Sequence, residues 1–212
     1  MIALDGSPDA LVECQRRRRP GDPLREVVGD AVSLPLPDKC VHAVVARSVL
    51  IYVVDKARAA TEFHRVLRPG GRVSIFEPIN IQYEWFTDVD LSDLEPARSH
   101  VLERWHSGGD PGRAMRGFDE RDLMQHFAEA GFDSVELTHE VSRRRTRARS
   151  QEVAAFLTVR PNPNMVSYEE AARDMLGVDA DEHLAALAAA LTSRPSTSVR
   201  ADAFLRCRRA RR

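Results

Sequence analysis

Four groups of polar residues stand where the chain could bind a small molecule, each at the end of an apolar run: Asp5, Asp30, Arg47-Ser48 and Glu77-Pro78. A carboxylate beside a glycine turn, as at Asp5, can accept hydrogen bonds from two neighbouring ribose hydroxyls, because its oxygens offer several acceptor positions. The carboxylate of Asp30 could accept from an exocyclic amine such as that of adenine. The pattern therefore predicts a nucleoside-binding edge. Two simpler alternatives remain, in which Asp5 is a turn residue near the N-terminus and Asp30 caps a loop.

The elements that would position these groups alternate between strands and helices. Apolar runs predict strands at 1–5, 25–29, 41–46 and 72–77, and apolar spacing predicts helices at 8–18 and 55–67. Ser7 and Asp55 are the predicted N-caps of these helices. Such alternation requires a parallel sheet with helices on both faces. Ligands bind a sheet of this kind at the carboxyl ends of its strands, which is where the four groups stand.

The second half of the chain is less regular. Residues 78–117 show no clear period, but they hold Tyr83, Trp85 and Trp105. We interpret this aromatic segment as a lid over a substrate, with an ordinary aromatic cluster beneath a loop as the alternative.

Further helices are predicted at 120–130, 150–159 and 167–191, the last broken near Gly177, and strands at 132–141 and 199–208. The final strand is predicted to pair antiparallel with the strand at 132–141. The fold class is thus α/β, a doubly wound, mostly parallel sheet with an antiparallel last strand. Residues 1–141 and 197–208 would form its core, and 150–194 a helical insertion.

Composition excludes several classes of protein. The 212 residues carry a formal net charge of −1, which provides no overall field to attract nucleic acid. No run of about 18 apolar residues is present to span a membrane. The three cysteines, Cys14, Cys40 and Cys207, lie far apart, which indicates reduced thiols in a cytoplasmic protein rather than disulfides or a metal site. We expect a small-molecule substrate and no nucleic-acid or membrane partner, and a homodimer is compatible with the sequence.

Three stretches together resemble a known family: IALDGSPDAL, then VVGDAVSLPLPDKCVHAVVARSVLIYV, then EFHRVLRPGGRVSIFEPI. In this order they look like the middle of a class I S-adenosylmethionine (SAM)-dependent methyltransferase. The resemblance is greatest to the small-molecule methyltransferases that carry an HRVLRPGG-type turn before the fifth strand. It covers about residues 1 to 140.

The resemblance implies a role for each group of residues. Asp5, with Gly6 and Ser7 beside it, would bind the ribose of SAM, and Asp30 and Ala31 would contact the adenine. Arg47 and Ser48 would lie along the methionine portion of SAM, and Glu77 and Pro78 would open the segment that faces the substrate. Tyr83 and Trp85 are substrate residues by the interpretation of the aromatic segment as a lid. Residues 67–71 would be structural, and His64 and Arg65 solvated rather than catalytic.

The chain departs from the family at its start. Members begin with a strand and a GxGxG-type loop that lets the backbone approach the methionine moiety of SAM closely. Here the chain begins at what should be the second strand, so we expect that about 30 residues, a strand and its helix, are absent. In the family that strand lies between the second and the fourth, and its loss would leave two unpaired strand edges.

The resemblance implies SAM-dependent methyl transfer to an unidentified, small-molecule acceptor. Methyl transfer from a sulfonium requires positioning of two reactants rather than a catalytic dyad, and a general base is needed only if the acceptor atom holds a proton. The catalytic residues are therefore unknown from the sequence. One alternative is an inactive relative that serves as an interaction module. Another is a dinucleotide-binding oxidoreductase, because Asp5 could bind the ribose of NAD equally well, although Asp30 and the LRPGG turn argue against it. For the 212-residue chain we expect weak SAM binding or none.

Overall fold

The computed structural model describes residues 1–19, 21, 23–106, 114–161 and 165–211. They divide into two compact units. The first unit comprises Met1–Phe76, Glu120–Thr138 and Phe204–Arg212, and the second comprises Glu77–Asp119 and His139–Ala203. The helical insertion predicted at 150–194 falls within the second unit, but residues 162–164 of it lie outside the described part of the chain. The predicted domain boundaries stay a prediction.

The first unit begins with a parallel pair of short strands, β1 (Ile2–Asp5) and β2 (Arg25–Val28). The register runs from Ile2 opposite Arg25 to Asp5 opposite Val28. Helix α1 (Pro8–Arg17) connects them and starts as predicted, because the Ser7 side chain accepts a hydrogen bond from the Ala10 backbone N at 3.4 Å. Proline is well tolerated at the first helical position, because a backbone N–H there would have no partner within the helix and no hydrogen bond is lost.

A four-stranded sheet has the order β3-β4-β6-β5. Its strands are β3 (Val41–Arg47), β4 (Leu67–Pro78), β5 (Ser134–Thr146) and β6 (Ser196–Arg208). Strands β3 and β4 are parallel. Strand β6 runs antiparallel to β4, because Arg209 N donates to Gly71 O at 2.9 Å and Ile79 N donates to Ala201 O at 2.8 Å. The predicted α/β fold with an antiparallel last strand is confirmed.

Helices α2 (Lys56–Val66) and α4 (Glu120–Glu129) pack on each other in the first unit. Asp55 caps α2 as predicted and accepts from the Arg58 backbone N at 2.8 Å. The contact between the helices is aromatic, with the rings of Phe63 and Phe127 at a centroid distance of 6.3 Å and both side chains buried. Burial of rings of this size supplies much of the hydrophobic stabilisation of such an interface.

The RPGG sequence lies inside a strand, which corrects the prediction that β4 starts at Arg72. Strand β4 begins at Leu67, directly after α2. The partner of β3 shifts from Leu67 opposite Val41 to Arg72 opposite Ala43, so the intervening residues bulge out of the ladder. Gly70 has a φ of +77°, and a β-carbon on Gly71 would lie 2.8 Å from Arg68 O. Both positions of the bulge therefore require glycine, for two different reasons.

The second unit is built on helices α3 (Ala97–His106), α5 (Ser150–Thr158), α6 (Tyr168–Leu176) and α7 (Ala180–Ser193). Their shared core consists of Val101, Val153, Leu157, Tyr168, Ala171, Ala172, Ala180, Leu187 and Leu191. A 3₁₀ turn over Gly177–Asp179 separates α6 from α7, which confirms the predicted break. Helix α3 was not predicted.

In the described part of the chain, strands β1 and β3 are not hydrogen-bonded to each other. A cavity of about 640 Å³ in the first unit is lined by residues of both strands, among them Leu4, Val44 and Val45.

Among the described helices, none combines the length and the apolar composition that crossing a bilayer requires.

Candidate functional site

Asp5 and Asp30 follow neighbouring strands at the same edge. Because β1 and β2 are parallel with Asp5 opposite Val28, the chain after each strand emerges on the same side. Gly29 N donates to Asp5 O at 3.1 Å, which brings the residue before Asp30 directly against the end of β1. Both aspartates are exposed, so this edge of the first unit presents two carboxylates to solvent.

Each of these carboxylates holds its own turn with one oxygen. Oδ1 of Asp5 accepts from the Ser7 backbone N at 2.8 Å, and Oδ1 of Asp30 accepts from the Val32 backbone N at 3.0 Å. In the described part of the chain no donor contacts Oδ2 of either aspartate. The hydrogen bonds that Oδ1 accepts agree with the alternative interpretation, in which Asp5 is a turn residue and Asp30 caps a loop. They also fix the direction of the second oxygen, which is what binding of ribose hydroxyls or an amine requires.

The neighbours of these aspartates lie close to the same edge. Gly6 is exposed, and Ala31 is half-buried and lines the 640 Å³ cavity. The hydroxyl of Ser7 is engaged in capping α1. Gly29 is tightly enclosed, since a β-carbon there would lie 2.6 Å from Cδ of Pro35.

Arg47 and Ser48 stand at the end of β3. The Arg47 guanidinium carbon lies 5.3 Å from the centroid of the Phe76 ring, a cation–π distance. Ser48 N donates to Phe76 O at 2.8 Å, and its φ of +51° is rare for a residue other than glycine. Such a conformation costs about 1–3 kcal/mol and occurs most often at functional sites.

Glu77 and Pro78 end β4, with Glu77 fully buried and Pro78 half-buried. The next predicted substrate residue, Tyr83, donates from its hydroxyl to Oδ1 of Asp202 at 3.0 Å. Burial and this hydrogen bond raise the pKa of Tyr83 to about 12, so the phenol stays protonated at neutral pH.

Tyr83 and Trp85 line an aromatic cavity of about 280 Å³ in the second unit. We call it the aromatic cavity, and its lining is Asn80, Tyr83, Trp85, Trp105, His106, Met115, Arg116, Phe156, Val159, Pro161 and Met165. Glu77 and Pro78 are not among these residues. The structure thus brings two of the four predicted substrate residues to one cavity.

Arg65, which was predicted from the sequence to be solvated, instead bonds to several groups of the first unit. The Arg65 guanidinium forms a two-pronged ion pair with Glu62 (2.9 and 2.8 Å) and donates to Leu34 O at 2.9 Å and Leu36 O at 2.8 Å. It also contacts Oδ1 of Asp38 at 2.7 Å. The prediction of a solvated Arg65 is therefore wrong. Its role is to fasten the loop after Asp30 to α2.

The described residues contain no group of three or more histidine, cysteine, aspartate or glutamate side chains placed to hold a metal ion.

Comparison with known proteins agrees with this architecture. The chain is an α/β protein with acidic residues at the ends of two adjacent parallel strands. The fold resembles that of the YcgJ protein from Bacillus subtilis, with a TM-score of 0.54 at 14% identity over 99% of this chain and 82% of that chain. Residues 1–75 match a family model described as a methyltransferase domain.

Two curated relatives carry the same assignment. The chain is 40% identical over 143 residues to a demethylmenaquinone methyltransferase from Clavibacter sepedonicus, covering 64% of this chain and 58% of that protein. It is 30% identical over 139 residues to a "probable S-adenosylmethionine-dependent methyltransferase" from Mycolicibacterium smegmatis, covering 66% of this chain and 51% of that protein. The chain thus spans about half the length of these relatives. The chain is thus similar to SAM-dependent methyltransferases, and the matched methyltransferase domain lies in residues 1–75.

Proposed function

We propose that the protein transfers a methyl group from SAM to a small-molecule acceptor. The observation that carries this proposal is the pair of carboxylates, Asp5 and Asp30, at the ends of two hydrogen-bonded parallel strands. The name of the Clavibacter sepedonicus relative, a demethylmenaquinone methyltransferase, supports an acceptor of small-molecule type.

In this proposal the first unit holds the cofactor. Asp5 accepts hydrogen bonds from the ribose hydroxyls through Oδ2, because its Oδ1 is engaged with Ser7 N. The open space beside Gly6, where the nearest atom to an added β-carbon would be 3.8 Å away, leaves room for the sugar. Asp30 accepts from the adenine amine, and Ala31 provides an apolar contact with the ring.

In this proposal the ends of β3 and β4 position the methionine portion of SAM and the substrate. Arg47 and Ser48 follow β3 and lie along the methionine portion, where the Arg47 guanidinium offers a cation to its carboxylate. Glu77 and Pro78 begin the segment that leads to the substrate residues Tyr83 and Trp85.

SAM supplies an electrophilic methyl carbon, and the carbon–sulfur bond breaks with its electron pair passing to sulfur as the acceptor atom bonds to that carbon. The protein has to hold both reactants in line and keep water out, and no side chain has to transfer a proton to the leaving sulfur. This requirement fits a site made of binding residues alone.

Binding of SAM tests the proposal directly. Because affinity is expected to be weak, saturation-transfer NMR with millimolar SAM suits the 212-residue chain. We expect a saturable signal that Asp5→Ala and Asp30→Ala each weaken by about tenfold, since a hydrogen bond to a charged group contributes about 1.5–3 kcal/mol. Asp93→Ala removes an exposed carboxylate from the second unit and is the charge-matched control.

Three results would count against the proposal. No detectable SAM binding would favour an inactive interaction module. Equal weakening by Asp93→Ala would show that the effect is one of net charge. Preference for NAD over SAM in a competition experiment would favour a dinucleotide-binding oxidoreductase.

A further inference from the structure

The aromatic cavity is lined by four large rings in mutual contact: Tyr83, Trp85, Trp105 and Phe156. The ring centroids of Trp85 and Phe156 are 6.2 Å apart, and those of Trp105 and Phe156 are 5.7 Å apart with a near-perpendicular angle of 78°. Rings at these distances prefer edge-to-face and offset arrangements, and a further planar ring can join them in the same way. The lining thus favours a flat aromatic ligand.

The cavity borders the hydrophobic core of the second unit, against which Trp105 and Phe156 pack, but its rim is open. Core residues such as Val101 and Tyr168 are at most 2% exposed, whereas Trp85 is 56% exposed. An indole left this open gains little from the protein's own packing, because hydrophobic stabilisation follows the apolar area removed from water. A ligand that covers Trp85 would recover that contribution.

Two polar groups of the cavity lack a partner in the described part of the chain. Nε1 of Trp105 is buried with no hydrogen-bond acceptor, although a buried indole N–H normally has one. The exposed guanidinium of Arg116 forms no ion pair with a described carboxylate. Because Nε1 of Trp105 has no exposed surface, a ligand in the open cavity does not reach it. Arg116 does line the cavity, and its cation favours a ligand with a negative oxygen.

The other titratable group of the cavity adds no charge. Burial lowers the pKa of His106, and the nearby Arg116 cation lowers it further. His106 is therefore neutral near pH 7, stacked on Trp105 at a centroid distance of 5.0 Å. Arg116 is the cation that a ligand meets among the lining residues.

We propose that the aromatic cavity binds a planar aromatic molecule with an anionic oxygen substituent, of the hydroxybenzoate type, and that this is the class of acceptor methylated. The identification as acceptor rests on the proposed function, but the binding itself does not. Arg116 recognises the oxygen, and the rings of Trp85 and Phe156 contact the aromatic plane.

The volume of the aromatic cavity limits the size of the ligand. A volume of about 280 Å³ stands at the lower end of small-molecule sites, which begin near about 300 Å³. One ring or a fused pair fits inside. A long isoprenoid tail does not, so a prenylated quinone would leave its tail outside the cavity.

Intrinsic fluorescence measures occupancy of this cavity specifically, because the chain has two tryptophans and both line it. Three probe molecules test which features of the ligand are recognised. The probe 4-hydroxybenzoate has an aromatic ring and a negative charge. Benzyl alcohol has the aromatic ring without the charge, and cyclohexanecarboxylate has the charge without an aromatic ring. We expect saturable quenching by 4-hydroxybenzoate, and binding about tenfold weaker for each of the other two.

Two variants assign the recognition to named side chains. Arg116→Gln removes an exposed cation, and we expect it to weaken 4-hydroxybenzoate about tenfold while leaving benzyl alcohol unchanged. Arg147→Gln, an exposed arginine of the same unit that does not line the cavity, is the control. Phe156→Leu removes a ring of the lining and should weaken 4-hydroxybenzoate and benzyl alcohol alike, while both tryptophans still report.

The outcomes separate this inference from the proposed function, because the titrations are done without SAM and repeated with it. If 4-hydroxybenzoate binds no better than the other probes in either condition, or if Arg116→Gln leaves the ratio between probes unchanged, the inference is overturned. Selective binding of 4-hydroxybenzoate to a chain that never binds SAM would retain the aromatic-acid site and reject methyl transfer.

Discussion

Gly29 stands between β2 and Asp30 at a point where the chain has no room for a side chain. Its β-carbon would lie 2.6 Å from Cδ and 2.8 Å from Cγ of Pro35. We therefore expect Gly29→Ala to lower the free energy of unfolding by about 1–3 kcal/mol, because Pro35 or the strand end must move. Gly6→Ala has ample space and should change it by less than about 0.5 kcal/mol. Urea denaturation followed by circular dichroism measures both, and equal effects would contradict the steric argument.

Arg65 and Glu62 form the second residue-scale test. Glu62 is 4% exposed, so Arg65→Met would leave its carboxylate buried without its main partner. We expect a loss of about 2 kcal/mol at neutral pH, measured by urea denaturation. In Glu62→Gln–Arg65→Met the charge is gone as well, so part of the stability should return. A double variant as unstable as Arg65→Met would show that the ion pair is not the cause.

The same pair makes stability depend on pH in the acid range. The hydrogen bond from Arg65 lowers the pKa of Glu62 below its ordinary value of 4.5. A carboxyl with a lowered folded pKa stabilises the fold fully above its unfolded pKa, and this contribution is lost as the pH falls through the folded pKa. Between about pH 5 and about pH 3 the wild type should therefore lose more stability than Glu62→Gln. Parallel slopes would rule out a contribution from Glu62.

Local residue roles followed from the sequence, and distant ones did not. Ser7 and Asp55 were predictable caps, because a cap acts on backbone within three residues of itself. The partners of Arg65 include Leu34, Leu36 and Asp38, which lie 27 to 31 positions away. Nothing in the HRVLRPGG stretch itself indicates them, so an arginine that organises the loop resembled a solvated one.

At the scale of elements, helices α6 and α7 are joined by a buried polar contact. The hydroxyl of Tyr168 lies 3.1 Å from Nε2 of His183, and both side chains are buried. Burial lowers the pKa of His183, as does the nearby Arg98, while Glu95 opposes them. The folded state therefore disfavours protonation of this histidine.

Thermal stability of the protein should fall as the pH drops below the ordinary histidine pKa of 6.5. The reason is that the unfolded chain binds the proton first, so stability rises with pH between the folded and unfolded pKa values. In His183→Gln this part of the pH dependence should be absent, whereas the exposed-site variant His100→Gln should retain it. Calorimetric Tm values at about pH 7 and about pH 5 measure the difference, and an unchanged slope in His183→Gln would contradict the assignment.

Elements with a clear apolar period were predictable, and those held by other forces were not. Helix α3 has three large apolar side chains, Val101, Leu102 and Trp105, among its ten residues, too few to make its period stand out from the irregular segment around it. Strand β5 runs to Thr146, beyond the predicted end at Val141, through exposed arginines. Those residues are part of the strand because their backbone pairs within the sheet, and the alternation of apolar residues does not predict such pairing. The RPGG bulge likewise depends on register with β3.

At the scale of the whole molecule, the alternation of strands and helices was enough to predict the parallel pairs β1–β2 and β3–β4, but not that they belong to two separate sheets. Parallel strands with short connections admit few arrangements, so the positions of Asp5 and Asp30 at one edge followed from the order of elements. The aromatic cavity followed only in part. Tyr83, Trp85 and Trp105 were predicted to cover a substrate, whereas Arg116 and Phe156 come from segments that nothing in the sequence connects with them. The fold is thus determined by local pattern, and the candidate substrate site by long-range packing.

The unpaired edges of β1 and β3 should make the isolated chain self-associate. Strand β3 is at the end of its sheet, and Val45 on it is 79% exposed beside the 640 Å³ cavity. Open edges with exposed apolar side chains pair readily with other strands, and a lysine on such an edge opposes this. We expect concentration-dependent association in analytical ultracentrifugation that Val45→Lys reduces. Val178→Lys changes an even more exposed valine, at 97%, that lies on a turn away from any strand edge, and should leave association unchanged. A wild type that is monomeric at all concentrations, or equal effects of the two lysines, would show that the edges are not the cause.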